Sequence, residues 1–197
     1  MNDIILKNFT VLTRDELELV LKWRNSERVR MMMVNKEEIP LAEHLAYAER
    51  LRDLSDRRYY LVCIGERPCA VIDYTEMEPG VPTCNTGLYA GDGAPFGFGM
   101  LLEHIRYHGV FVRFGYSKTH SPMRKENERY RQNLLNRFGL TIIGENEEYY
   151  DLQQTREAWE PLWKAQRKRL FERFGVSRIV WREIDGEIVT FDLEKEG

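Results

Sequence analysis

Nine residues, Gly91-Asp-Gly-Ala-Pro-Phe-Gly-Phe-Gly99, limit what this chain can fold into more than any other stretch. Four glycines and a proline let neither a strand nor a helix pass through them. The residues before the segment are β-rich and those after it are helical, so it reads as a strand–loop–helix junction. Upstream lie three runs with strand character: Tyr59–Ile64, Cys69–Glu76 and Thr83–Ala90. Gly65-Glu-Arg-Pro68 and Pro79-Gly80 separate them, which is turn punctuation, so the three form an antiparallel meander. From Met100 to about His108 the pattern is helical.

The flanks extend this core. Residues 4–11 read as a strand, and Thr13-Arg-Asp-Glu16 has the spacing of a capping box, with Thr13 as N-cap. The helix behind it carries Leu17, Val20, Leu21 and Trp23 at helical spacing and ends near Asn25. After the Met31-Met32-Met33 run, which suits adaptable packing beneath a ligand, Pro40 opens a second helix with Leu41, Leu45, Ala48 and Leu51 on one face. Beyond His108, a strand over Phe111–Ser117, a polar helix from Met123 to Arg137 and short strands at 140–144 and 148–152 are expected. A helix from Arg156 to Arg173 comes next, then a hairpin, Arg178–Glu183 and Glu187–Leu193, turning at Asp185-Gly186. The expected organisation is one main domain, 1–152, with a C-terminal helix and hairpin, 153–197, packed on it.

Composition excludes several classes. A hydrophobic fraction of 43% with 12% aromatics supports a core and rules out general disorder. The longest apolar run reaches about half of the ~20 residues of a bilayer span, and the N-terminus lacks a signal peptide's pattern. Net charge of −3 provides no global field for nucleic acid. The basic run Lys164, Arg167, Lys168, Arg169 and Arg173 lies among acidic residues on an expected helix and reads as a solvated face. Cys63, Cys69 and Cys84 show no Cys-x-x-Cys spacing and read as reduced thiols, which fits the cytoplasm.

The glycine segment has two readings. Closely spaced glycines ahead of a helix present free backbone N–H groups to an anion such as a pyrophosphate. The same sequence also makes a plain tight turn. Neither the full Gly-x-Gly-x-x-Gly nor a Gly-Lys-Ser/Thr is present, so dinucleotide and P-loop readings fail. His104 and His108, at i and i+4, have a spacing that can bind metal, but no third ligand is evident, and no metal is expected.

The order of elements (strand, two helices, three-stranded meander, glycine loop and helix, strand, helix, strand) is that of the GNAT acetyltransferases. Within them the first ninety residues resemble the N-acetyltransferases of bacterial pseudaminic acid synthesis. Those enzymes use acetyl-CoA to acylate the 4-amino group of a UDP-linked dideoxy sugar. The likeness is carried by Leu6-Lys-Asn-Phe-Thr10, Leu21-Lys-Trp-Arg-Asn25, Glu43-His-Leu45, Tyr59-Tyr-Leu-Val62, Val71-Ile-Asp-Tyr74 and Gly87-Leu-Tyr-Ala90, in order and at the family's spacing. It implies an α+β fold: a mixed, mostly antiparallel sheet flanked by helices, to which the C-terminal helix and hairpin are added without counterpart.

Site residues are implied by the resemblance. Arg24 matches a contact to the nucleotide-sugar, where a guanidinium suits a diphosphate; the plain reading is a surface ion pair. His44, Thr75 and Tyr89 also fall at substrate positions, though a lone helix histidine such as His44 is otherwise more often structural and Tyr89 reads equally as core filler. Asp73 sits where the family varies between Asp and a small polar residue, and its carboxylate is expected to help take a proton from the sugar ammonium, directly or through water. Acetyl-CoA is assigned to Tyr89, Ala90, Phe96, Gly97, Phe98, Gly99 and Asn127. The sequence departs from the family there. Ala94 replaces the Gln or Arg that opens the family's loop. The family's second cofactor motif, read from Asn127 to Gly139-Leu140, is one residue too long. Its thiolate-protonating tyrosine would fall at Leu134 or Leu135, which leaves Tyr130, the nearby phenol, as the catalytic acid for the thiolate, its plain reading being a structural or exposed tyrosine. Pro122 or Met123 replaces a carboxylate. The reading that results is an acetyl-CoA-dependent N-acetyltransferase for a nucleotide-linked amino sugar. The alternatives are a GNAT enzyme for another amine and a nucleotide-sugar-binding module without acyl transfer. No nucleic-acid or membrane partner is expected, and a homodimer through the exposed hairpin edge is.

Overall fold

A computed structural model describes residues 2–192. Its first half keeps the expected order: β1 (Asn2–Asn8), α1 (Arg14–Asn25), a short α2 (Glu27–Arg30), α3 (Leu41–Arg50), then β2 (Arg58–Ile64), β3 (Arg67–Thr75) and β4 (Thr83–Ala90). The capping box is formed: Thr13 Oγ1 accepts from the Glu16 N–H, and the Glu16 carboxylate accepts from the Thr13 N–H at 3.0 Å. β1 stops at Asn8, short of the expected end. The Asn8 side chain accepts from the Thr10 N–H at 3.0 Å and turns the chain into a 3-10 turn, Phe9–Val11.

The second half comprises α4 (Gly99–His108), β5 (Lys118–Arg124), α5 (Glu128–Phe138), β6 (Thr141–Glu145), β7 (Tyr149–Thr155), α6 (Arg156–Phe174), β8 (Val176–Arg182) and β9 (Ile188–Asp192). Two expectations are corrected by it. The apolar run around Phe111 is not a strand: α4 continues into a π-helical turn, Gly109–Arg113, with Val110 and Phe111 buried, and β5 begins only at Lys118. The helix expected from Met123 starts at Glu128, because Met123 and Arg124 remain in β5, paired with Tyr150 and Tyr149. The described part of the hairpin is as expected, with Asp185 and Gly186 both at positive φ; Leu193 lies outside the described residues.

The strands form one sheet in the order β6-β7-β5-β4-β3-β2-β1-β8-β9. Alternation along β2 divides the core between its faces. Tyr60 and Val62 join the cluster under α4, α5 and α6, whereas Leu61 and Cys63 join the one under α1 and α3. The C-terminal segment is built into this arrangement. β8 runs parallel to β1, and Trp159, Trp163, Ile179 and Trp181 belong to the same core cluster as the meander. Glu183, 6% exposed, accepts from the Tyr60 hydroxyl at 2.8 Å, from Asn8 Nδ2 at 3.3 Å and from Arg113 at 3.2 Å. Among the described residues no helix is long and apolar enough to cross a membrane.

Candidate active site

The site arises where two neighbouring strands part. β4 and β5 are parallel but pair only from Thr83–Asn85 to Lys118–His120. Beyond that, β4 stays with β3 as far as Ala90 and β5 stays with β7 as far as Arg124. Main-chain groups on the two facing edges lose their ladder partners and need others. The Thr86 carbonyl finds two: Ser121 Oγ donates to it at 2.6 Å and Arg106 Nη1 at 3.4 Å.

A cavity of about 490 Å³ opens at this wedge. Into it converge Arg24 from the last turn of α1, His44 from α3, Asp73 and Thr75 from β3, Tyr89 from β4, and Asn127 and Tyr130 at the start of α5. These residues span more than a hundred positions of sequence, and the fold gathers them in one place.

Each polar group has a defined state. Arg24 Nη2 donates to the Asn35 carbonyl at 2.6 Å, while the buried Nη1 has no partner among the described residues. His44 is buried, which lowers its pKa, and it hydrogen-bonds to the Leu17 backbone. Its Nε2 has no partner among the described residues, so a neutral ring offers that nitrogen as an acceptor. Burial raises the Asp73 carboxyl to about 6, against the opposing pull of Arg106 and of the Gly87 N–H that it accepts from. A carboxylate poised there is a competent base near neutral pH. Burial also raises the Tyr89 phenol, with Asp73 adding to the effect.

Tyr130 is held by a group that the sequence did not reveal. Its hydroxyl donates to Glu103 Oε1, and Glu103 is itself paired with Arg106 at 2.7 Å inside α4. Glu103 and Arg106 are 2% and 3% exposed, so this ion pair lies within the protein beside the cavity. Burial and then the Glu103 charge push the Tyr130 phenol well above its ordinary value. The clue in the sequence was a Glu and an Arg three apart on a helix otherwise made of apolar and aromatic residues and two histidines. Arg124, also missed, donates to the Met33 and Val34 carbonyls at 3.0 and 3.4 Å, tying the methionine loop to β5 across the cavity mouth.

The loop residues assigned to the cofactor do not line this cavity. Phe96 is 95% exposed at the loop tip, whereas Phe98 is 1% exposed and packs its ring edge-on against Phe174. The Phe98 N–H already donates to the Pro95 carbonyl and its carbonyl accepts from Leu102, so Phe98 serves the core. The Ala90 carbonyl accepts from Arg28 at 2.9 Å. Gly97 adopts a φ of +79°, a conformation that favours glycine. The amides of Gly99, Met100 and Leu101 form the open first turn of α4, so a negatively charged ligand at this loop has donors available.

His104 and His108 are packed among aromatic rings. His104 Nδ1 accepts from the Trp159 indole at 3.2 Å, and His108 lies edge-on to Phe191. Among the described residues no group of three His, Cys, Asp or Glu is placed to hold a metal ion. All three cysteines are free and buried.

No family model matches the chain. Acetyltransferase PseH of Campylobacter jejuni serotype O:23/36 is 33% identical over 153 residues, covering 76% of this chain and 92% of its own length. The crystal structure of C. jejuni N-acetyltransferase PseH in complex with acetyl coenzyme A superposes with a TM-score of 0.63 at 27% identity, over 78% of this chain and 99% of that one. Apo FdhC, a nucleotide-linked sugar GNAT, shares the fold with a TM-score of 0.67 at 14% identity, over 85% of this chain and 98% of its own. With the splayed β4–β5 wedge in place and a third of its aligned residues identical to PseH along nearly all of that relative, the chain belongs to the PseH family of N-acetyltransferases and has the GNAT fold.

Proposed function

We propose that the protein transfers the acetyl group of acetyl-CoA to the amino group of a nucleotide-linked amino sugar by direct attack on the thioester. The observation that carries this reading is the meeting of Arg24, His44 and Asp73 in one cavity at the mouth of the β4–β5 wedge. In this reading the unpartnered Nη1 of Arg24 takes a phosphate oxygen of the nucleotide, because a guanidinium fork matches phosphate geometry. His44 Nε2 accepts a hydrogen bond from the substrate. Asp73 removes a proton from the ammonium, directly or through water. The freed nitrogen lone pair attacks the thioester carbonyl, and the adduct collapses to the amide as the C–S bond breaks. The electron pair leaves on sulfur, and the nitrogen's surplus proton passes to the thiolate or to water. Holding amine and thioester together supplies much of the rate.

Tyr130 is the candidate acid for the departing sulfur. To serve, its hydroxyl must exchange Glu103 for the thiolate as its acceptor, and burial beside Glu103 keeps it protonated until then. The chemistry tolerates its absence, because a thiolate leaves readily near neutral pH and a general acid contributes about 10²-fold or more rather than the whole rate. The resemblance to pseudaminic acid enzymes supports a role in cytoplasmic nucleotide-sugar metabolism.

The test is thiol release from acetyl-CoA with a UDP-linked 4-amino sugar, spermidine or no acceptor, with the product weighed by mass spectrometry. One thiol per acetylated sugar is expected. Thiol release with spermidine and none with the sugar would assign a different amine. Saturable UDP-sugar binding without any acetyl-CoA consumption would leave a binding module.

A further inference from the structure

We propose that Arg173, in the last turn of α6, binds the phosphates of acetyl-CoA and supplies the side chain that the glycine loop lacks at Ala94. The proposal rests on the acetyl-CoA reading above. Its starting point is Gly97. A Cβ built on this residue would lie 2.5 Å from Arg173 Nη2 and 3.1 Å from its Cζ, so the guanidinium lies where a side chain at 97 would be. Nη2 also donates to the Phe96 carbonyl at 3.5 Å. The placement is anchored from below: Phe174, the next residue, meets the buried Phe98 ring at 5.6 Å, and the Arg173 Cζ stands 5.5 Å from the Phe174 ring.

The guanidinium is otherwise uncommitted. Arg173 is exposed, and among the described residues no carboxylate pairs with it. By contrast, Lys164 of the same basic run is paired with Glu160 at 2.8 Å. A second cation approaches from α5, where Arg137 Nη1 stands 3.7 Å from Met100 Sδ in the first turn of α4. Two arginines from outside the loop therefore stand at this junction, Arg173 at Gly97 and Arg137 at the Met100 side chain. A bidentate fork beside main-chain N–H donors is an arrangement suited to a phosphate. About a quarter of this chain lies outside the match to C. jejuni PseH, and the sequence places the segment without counterpart at 153–197, which includes Arg173.

The decisive variant is Arg173→Gln, which keeps a donor for the Phe96 carbonyl and removes the charge. We expect the KM for acetyl-CoA to rise about fivefold to tenfold, with kcat and the acceptor KM unchanged. The salt dependence of that KM becomes flatter, because one screened charge contact is gone. Arg173→Lys recovers part of the loss, and Lys168→Gln, on the exposed side of the same helix, behaves as wild type. Acetyl-3′-dephospho-CoA identifies the phosphate: the effect vanishes if the 3′-phosphate is the partner and persists if the diphosphate is, and either result supports the proposal. A wild-type KM and salt slope in Arg173→Gln overturn it, as does a rise in both substrates' KM with a lowered melting temperature, the mark of a strut. If Gly97→Val abolishes acetyl-CoA binding while Arg173→Gln does nothing, the loop reading stands and this proposal alone fails. If neither variant changes acetyl-CoA binding, both fail.

Discussion

Asp73 and Gly87 face each other across the β3–β4 ladder, and the carboxylate fills the space that a side chain at 87 would take. A Cβ built on Gly87 would lie 2.8 Å from Asp73 Oδ2, and the Gly87 N–H donates to the same carboxylate. The glycine is thus a seat for the proposed base. Gly87→Ala is expected to displace the carboxylate and lower kcat/KM roughly tenfold to a hundredfold, within the range of a general base. In a double-mutant cycle with Asp73→Asn the losses should not add, because both changes remove one function. Additive losses would separate Gly87 from Asp73.

The carboxyl at about 6 has consequences for activity and stability with definite signs. Activity requires the ionised form, so kcat/KM should fall as pH drops through 6, and Asp73→Asn should lose that acidic limb together with most of its rate. Stability runs the other way. The folded-state pKa is raised above the ordinary carboxyl value, so the folded protein holds its proton more tightly than the unfolded chain. Stability is therefore lost as pH rises from about 4 through 6. At pH 8 the Asp73→Asn protein should melt a few degrees higher than wild type. The gap should close towards pH 4, as measured by thermal melts across that range. An unchanged or reversed gap would show that the carboxylate carries no burial cost.

What could be read from the sequence was what local chemistry decides. The capping box at Thr13–Glu16, the glycine junction after β4 and the Asp185-Gly186 turn are set by residues adjacent to one another. The stretch from Gly109 to Phe114 was not legible in this way, because a continuous apolar run is produced equally by a buried strand and a buried helix. The backbone continues α4 as a π-helical turn over Gly109–Arg113, and Gly109 seats it against β3, where a Cβ would lie 2.0 Å from the Tyr74 hydroxyl. The candidate site divides similarly. Arg24, His44, Asp73, Thr75 and Tyr89 came from motif resemblance, and they line one cavity. Glu103 and Arg106 did not, because a charged pair on a helix reads by default as a solvated i,i+3 pair. Only the tertiary fold buries it against Tyr130.

His104 joins α4 to α6 through the Trp159 indole, and burial lowers its pKa to about 4. A histidine depressed in the folded state contributes stability that is complete above its unfolded value near 6.5 and is lost as pH falls towards 4. Wild type should therefore lose melting temperature between those values. His104→Gln, which keeps an acceptor for the indole, should show a flatter profile over the same interval. A profile parallel to wild type would assign the acid sensitivity elsewhere.

Glu183 tests whether the C-terminal hairpin is an attachment or part of the core. Its carboxylate lies in the interior against the Tyr60 hydroxyl, Asn8 and Arg113, so it ties the end of β8 to β1, to β2 and to the turn after α4. Truncating Glu183 leaves the Tyr60 hydroxyl and Asn8 Nδ2 without their carboxylate, while Arg113 keeps Glu187 at 3.9 Å. Removing one partner of a fully buried pair costs about 3–5 kcal/mol. Arg113 retains 21% side-chain exposure, which reduces this to roughly 2–4 kcal/mol. Glu183→Ala should lower the urea midpoint accordingly, with Glu183→Gln losing less because the amide oxygen still accepts from Tyr60. A chain ended before α6 should fail to fold cooperatively, since Trp159, Trp163 and Trp181 fill the same core as β1–β4. A truncated chain that melts cooperatively and still binds acetyl-CoA would show instead that residues 2–152 stand alone and that the hairpin is an accessory.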